Sequence, residues 1–419
     1  MAHAQLFLWL AVIFAFFMAV GVGANDVANA MGTSVGSKVI TLRNAVIIAA
    51  VFESLGALLA GGQVTETIRS KIIDVHLLTA TPEIFIYGML ASLLAAATWL
   101  VIATKFGRPV STAQSIIGSV IGFALIVLGA HTIYWGRIVG IMSGWVVTPT
   151  IAGILSYFLF RSVQWLIFNS DKPIQQAKRY VPFYIFIGTF VTTAVTLLSG
   201  LQHIGIQLSH ATSLTMAFAF SILVAAITRQ ILNHLHFNKL GELHADLKSL
   251  EKIFSILMVF TACATAFALG ANDVANAIGP LAAIEGIVHS GGQIMGQSTI
   301  PFWVLLLGAM GMVFGLSIYG YKVIATVGTT ITELTPARGF AAQLACASTV
   351  LLASGLGLPV STGQTLVGAV LGIGFARGIG ALNLVVVRDI FFSWVITLPA
   401  GAAFAIIYYY MITFLVHHL

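Results

Sequence analysis

The chain has 419 residues, of which 59% are hydrophobic and 8% charged, with a formal net charge of +6. Soluble domains are about a quarter charged, so this composition excludes a water-soluble globular protein. Apolar stretches of about 17–25 residues select spanning helices over the ten-residue strands of a barrel. Lys and Arg stand at the ends of these stretches rather than on one face, which excludes a nucleic-acid surface.

In chain order the hydropathy pattern predicts about twelve membrane segments. Five fall near 5–24, 39–60, 84–103, 111–130 and 138–160. Two lie in the middle, near 182–200 and 208–228, and five follow near 253–271, 300–320, 340–356, 361–376 and 390–415. The expected division is a first repeat over 1–160, a central pair of segments with basic loops over 161–252, and a second repeat over 253–419. The first apolar stretch runs into Asn25 and Asp26 and has no preceding Lys or Arg, so it reads as a mature span and not a signal peptide.

The connections Arg161–Val181 and Arg229–Lys252 are both basic and lie two spans apart, which places both on the cytoplasmic side. Both termini then fall outside, and of the 19 Lys and Arg only Arg69, Lys71 and Arg137 do so too. Glu66, Asp74, Glu83 and Glu333 read as solvated loop residues. Cys263 and Cys346 lie in apolar segments and suggest neither a disulfide framework nor a metal site.

Self-similarity is the most informative feature. Gly23-Ala24-Asn25-Asp26-Val27-Ala28-Asn29-Ala30 recurs letter for letter at Gly270–Ala277. Arg108-Pro109-Val110-Ser111-Thr112-Ala113-Gln114 recurs as Leu358-Pro359-Val360-Ser361-Thr362-Gly363-Gln364, and Trp145-Val146-Val147-Thr148-Pro149 has an echo at Trp394–Pro399. The offsets are 247, 250 and 249 residues. Seven spans separate equivalent landmarks, so the halves are expected to be inverted, with broken or re-entrant helices around a midplane site. The expected fold class is therefore an all-α polytopic membrane protein of two inverted-topology repeats.

Asp26 and Asp273 lie at membrane depth, where a carboxylate is expensive unless paired or wetted. Gly23 and Gly270 permit a helix break there. Carboxylate and amide oxygens from Asp26, Asn29, Asp273 and Asn276 suit a hard cation such as Na⁺, and Asn25 and Asn272 add amide groups. Ser111, Thr112, Ser361 and Thr362 are helix-capping types, and a helix N-terminus is an anion site; Gln114 and Gln364 follow in the same repeat. No Lys or Arg lies mid-span, so an anion bound beside two Asp residues needs cations with it. Glu53, in Phe52-Glu53-Ser54-Leu55-Gly56, is a third membrane carboxylate without an exact mate in the second half. Gln343 stands in an apolar stretch, with its part in function open. Nothing resembles a P-loop, a nucleophile elbow or paired zinc ligands, so no enzymatic activity or resident cofactor is expected.

These motifs, with Phe52–Gly56, resemble the PiT-type inorganic phosphate transporter family over nearly the whole chain outside the middle basic loops. The resemblance implies phosphate uptake by cation symport, with Na⁺ as the co-transported ion for the full Asn-Asp form. It implies phosphate contacts at Ser111, Thr112, Ser361, Thr362, Asn25, Asn272, Gln114 and Gln364. It implies Na⁺ contacts at Asp26, Asn29, Asp273, Asn276 and Glu53. Many members have His where Gln114 and Gln364 stand, and some have Glu where Gln343 stands. A proton-coupled phosphate or sulfate permease, and a non-transporting receptor on the same scaffold, remain the alternatives. The expected setting is the inner (plasma) membrane, with lipid, phosphate and Na⁺ as partners and a homodimer left open.

Overall fold

The computed structural model describes residues 3–74, 78–79, 81–106, 110–201, 205, 208–234, 243–293, 300–320, 324, 335–378 and 384–418. Arg108, Pro109, Lys322 and Glu333 lie outside these residues. Among the described residues the chain folds into thirteen α-helices with no strand. They are α1 (Ala4–Gly36), α2 (Leu42–Ala60), α3 (Gly62–Ser70), α4 (Pro82–Lys105), α5 (Thr112–Phe123), α6 (Trp135–Val163) and α7 (Pro173–Val195). Then follow α8 (His210–His234), α9 (Leu243–His289), α10 (Phe302–Ile318), α11 (Pro336–Gly355), α12 (Thr362–Arg377) and α13 (Leu384–His417). Eight stretches are long and apolar enough to cross a bilayer, and Thr112–Leu128 and Phe302–Ile318 are shorter apolar helices. The chain is a multi-pass membrane protein.

The helix ends follow local chemistry. Pro82, Pro173 and Pro336 open α4, α7 and α11, where a missing N–H costs nothing. The Thr41 hydroxyl accepts from the Asn44 N–H at 3.3 Å and caps α2. The expected breaks fall at the second landmark, between α4 and α5 and between α11 and α12. The Asn-Asp motifs themselves sit inside unbroken helices. At 47 residues α9 is about 70 Å long, more than twice a bilayer's hydrocarbon core of about 30 Å, so one end leaves the membrane.

Two expectations about loops change. The connection read over Arg161–Val181 is mostly helical, because α6 continues through a wider turn to Phe168 and α7 begins at Pro173. Long basic side chains at helix ends reach water without ending the helix. Glu66 and Arg69 are also not loop residues. They lie on α3, where Arg69 is buried and its guanidinium stands 3.6 Å from the Glu66 carboxylate. A charge buried this way is retained because it is paired.

The two halves interlock through exchanged contacts. α1 packs on α10 as α9 packs on α2, α5 on α13 as α12 on α6, and α4 on α13 as α11 on α6. α1 and α9 pack directly on each other, at the centre of this pseudo-two-fold arrangement. Glycines let the backbones touch. A methyl on Gly23 would lie 2.0 Å from the Met312 carbonyl oxygen, and one on Gly270 would lie 1.9 Å from that of Glu53. The reciprocal contacts are Gly315 against Val20 and Gly56 against Phe267, both at 2.0 Å from the carbonyl oxygen. Small residues at a helix crossing in lipid allow this approach. The correspondence also identifies the mate of Glu53 in the second half, which is Met312.

Gly270→Ala must push α2 and α9 apart, and overpacking of a close backbone contact costs about 1–3 kcal/mol or more. Gly136 has nothing within 4 Å of an added methyl. Gly136→Ala is therefore expected to extract and elute as a single peak with unchanged thermal stability, while Gly270→Ala loses that peak; size-exclusion with a melting curve checks both.

Candidate functional site

All thirteen site positions read from the sequence are buried, none more than 8% exposed. The first half-site is built from α1 and the N-terminus of α5. Asn25 Nδ2 donates to Asp26 Oδ1 at 2.8 Å and to the Val110 carbonyl at 3.0 Å. Asn29 Nδ2 donates to the same Asp26 oxygen at 3.2 Å. Ser111 caps α5 by accepting from the Gln114 N–H at 3.2 Å.

The second half-site repeats this on α9 and α12. Asn276 Nδ2 donates to Asp273 Oδ1 at 3.4 Å, the Thr362 hydroxyl donates to Asp273 Oδ2 at 3.0 Å, and Ser361 caps the Gln364 N–H at 3.4 Å. Asn272 adopts the matching pattern when its amide is turned to satisfy both ends. Nδ2 then donates to the Val360 carbonyl at 2.9 Å and to Asp273 Oδ1 at 3.3 Å, and Oδ1 accepts from Ser354. We take this orientation because it reproduces the Asn25 bonds and gives both ends of the amide a partner.

The halves are joined at the site. Asn276 Nδ2 on α9 donates to Thr112 Oγ1 on α5 at 3.2 Å. Asn29 on α1 lies against Gly363 on α12, where an added methyl would be 3.3 Å from its Nδ2. Glu53 joins from α2, and Asp26, Asp273 and Glu53 interact electrostatically with one another. None of the three has a basic partner among the described residues.

Six buried oxygens near these groups have no donor: Asp26 Oδ2, both Glu53 carboxylate oxygens, Asn276 Oδ1, Gln114 Oε1 and Gln364 Oε1. Native interiors rarely leave buried acceptors unpaired. Carboxylate and amide oxygens without donors are the ligand type of a hard cation. The anion donors differ from the simplest expectation. Both amide hydrogens of Asn25 are engaged, and so are those of Asn272 in its satisfied orientation. The hydroxyl hydrogens of Ser111 and Ser361, which only accept in their caps, stay available beside the N-termini of α5 and α12.

Sequence reading missed the hydroxyl cluster around Gln343. Gln343 Nε2 donates to the Ala30 carbonyl at 2.7 Å and to Thr33 Oγ1 at 2.6 Å, and its Oε1 accepts from Thr261 at 3.1 Å. It ties α11 to both motif helices. The signal was present, because Thr33 follows Asp26 by two helical turns and so shares its face. Among the described residues no three His, Cys, Asp or Glu side chains converge on a metal site. An apolar groove of about 900 Å³ beside α6, α12 and α13 also has Gln114 and Gln364 in its wall.

The profile described as "Phosphate transporter family" matches residues 22–405. A Haemophilus influenzae protein named "Putative phosphate permease" is 52% identical over 408 residues, 96% of each chain. The chloroplastic inorganic phosphate transporter 2-1 of Arabidopsis thaliana is 40% identical, over 98% of this chain and 73% of its own. A solved structure titled "The sodium-dependent phosphate transporter" superposes with a TM-score of 0.91 at 37% identity, over 97% of this chain and 99% of that one.

Gln343→Leu keeps the volume but takes the donor from Thr33 Oγ1 and unties α11 from α1 and α9, and a buried group left unpaired costs about 1–3 kcal/mol. Gln114→Leu removes an oxygen that already lacks a donor. Melting curves are therefore expected to fall by several degrees for Gln343→Leu and to move much less for Gln114→Leu.

Proposed function

The chain belongs to the phosphate transporter family, a family of transporters and not of enzymes, and from that premise we propose that it imports inorganic phosphate by Na⁺ symport. The observation that carries the coupling is the set of three buried carboxylates without a basic partner among the described residues, with no donor on Asp26 Oδ2 or on either Glu53 oxygen. At an effective dielectric near 20, two like charges 4 Å apart repel by about 4 kcal/mol. A phosphate anion added to ionised Asp26, Asp273 and Glu53 would meet several such terms. Cations bound first remove them, so substrate and ion must travel together.

In this reading Na⁺ is held by Asp26, Asn29, Asp273, Asn276 and Glu53. Phosphate takes the hydroxyls of Ser111 and Ser361, the first-turn N–H groups of α5 and α12, and the amide groups of Gln114 and Gln364. Thr112 and Thr362 bridge the two kinds of site, because each hydroxyl lies against an Asp and next to a helix N-terminus. Asn25 and Asn272 hold the Val110 and Val360 carbonyls and so shape the phosphate loops without spending a hydrogen on the anion. The sodium dependence in the solved relative's title supports Na⁺ over protons as the coupling ion. The same reading places the repeats at 1–160 and 253–419, about the central pair of 161–252, in the inner membrane with both termini outside. The repeats rock about the site to expose it to each side in turn.

Reconstituted in liposomes, the protein is expected to accumulate labelled phosphate under an inward Na⁺ gradient, with sulfate competing weakly. Asp26→Asn and Asp273→Asn are expected to lower that uptake about 100-fold or more, since each removes a charge the cation needs. Uptake that follows a pH gradient and ignores Na⁺ would overturn the coupling.

A further inference from the structure

The segment between α11 and α12 has no regular structure to satisfy its carbonyls, yet three of them are held by side chains from three helices. The Gly357 carbonyl accepts from Thr67 Oγ1 of α3 at 2.7 Å. The Pro359 carbonyl accepts from Trp145 Nε1 of α6 at 3.1 Å. The Val360 carbonyl accepts from Asn272 of α9 at 2.9 Å. Gly357 is in the left-handed region at φ +69°, and a methyl there would lie 3.1 Å from Thr67 Oγ1. The turn is therefore shaped to fit its tether as well as bonded to it.

The grip of α6 continues past the loop. Thr148, one turn after Trp145 in the same repeated landmark, accepts from Thr365 Oγ1 of α12 at 3.1 Å. A methyl on Gly368 of α12 would lie 2.2 Å from the Pro149 carbonyl oxygen. Trp145, Thr148 and Pro149 thus hold successive levels of the α12 N-terminal half. The Trp-Val-Val-Thr-Pro landmark has no part in the ion or phosphate contacts assigned above, and this is what its residues touch.

We propose that Trp145 and Thr67 are positioning residues for phosphate: by fixing the Pro359 carbonyl Trp145 sets the aim of the N–H and hydroxyl groups at the α12 N-terminus, and Thr67, at the Gly357 carbonyl, anchors the turn that leads into it. A peptide is planar, so fixing a carbonyl fixes the N–H of the next residue. Held at Pro359 and Val360, the N–H groups of Val360 and Ser361 have one direction each, and Ser361 passes that constraint to Gln364 through its cap. Donors that are already aimed lose no ordering entropy on binding an anion. Trp145 is 7% exposed, so without Pro359 its indole N–H would have no water to turn to. The proposal rests on the phosphate reading above and adds residues that never touch the anion.

Trp145→Phe keeps the ring and removes the N–H; Thr67→Val keeps the shape and removes the hydroxyl; Thr67→Ser restores it. In Na⁺-driven liposome uptake, the first two are expected to raise phosphate KM about fivefold, the worth of one hydrogen bond, with Vmax within about twofold and the Na⁺ dependence unchanged. Thr67→Ser returns KM to the wild-type value. Unchanged KM in both variants, or a fall in Vmax at constant KM, overturns the proposal. Should Trp145→Phe fail to elute as a folded peak, the Thr67→Val and Thr67→Ser pair decides alone. If the wild type carries sulfate and not phosphate, the phosphate reading fails, and the same KM comparison made with sulfate still judges the positioning role.

Discussion

Three carboxylates are buried within electrostatic reach of one another in a membrane protein, with no basic side chain among the described residues to neutralise them, and the rest of the site is organised around that difficulty. Removing an ion from water costs several kcal/mol even after the surroundings relax. The fold supplies partial compensation. Asn25 and Asn29 donate to Asp26, and Asn276 and Thr362 donate to Asp273. Glu53 receives no such donor on either oxygen. The polar scaffold therefore orients the carboxylates but does not balance their charge. In the symport proposed here, a cargo of cations would complete the site and make it tolerable to the anion.

The pseudo-two-fold arrangement makes two half-sites of nearly the same shape, yet they differ in charge and polarity. Glu53 in the first half faces the second-half motif at Gly270, whereas its counterpart against Gly23 is Met312. Gln343 links both motif helices through Ala30, Thr33 and Thr261, whereas the residue at its place in the first half is the buried Leu93. The helix contacts are paired across the two halves while the side chains around the motifs are not. A carrier that must bind on one side and release on the other has a use for that difference.

Much of this was legible in the sequence because the decisive signals were duplicated. The letter-for-letter repeat of Gly23–Ala30 marked both Asp residues, and the repeat of Val110–Gln114 marked both helix N-termini, so twelve of the thirteen positions came in pairs, Glu53 standing alone, and all thirteen are buried. Other features depended on contacts across more than a hundred residues. Gly23 and Gly270 read as permitting a helix break, since a glycine's freedom is visible in sequence and its neighbours are not. α3 was read as loop because nine residues with Glu66 and Arg69 show no long apolar run. Trp145 was visible as a landmark, but its partner is a carbonyl 214 residues away. Gln343 looked ambiguous because an amide in an apolar stretch does not announce which helices it joins.

The glycine contacts between α1 and α10 and between α9 and α2 have a mechanical consequence. A carbonyl oxygen seated where a Cβ would be cannot slide along its partner without striking the next side chain. Rotation about that point, in contrast, keeps the contact nearly intact. The two contacts are related by the pseudo-two-fold, so in the rocking motion proposed above they would act as a pair of fulcrums. Small tilts there become large displacements at the far ends of helices such as α9, which act as lever arms. In such a motion the site residues, close to the pivots, would move least and keep their spacing while the ends of the molecule swing.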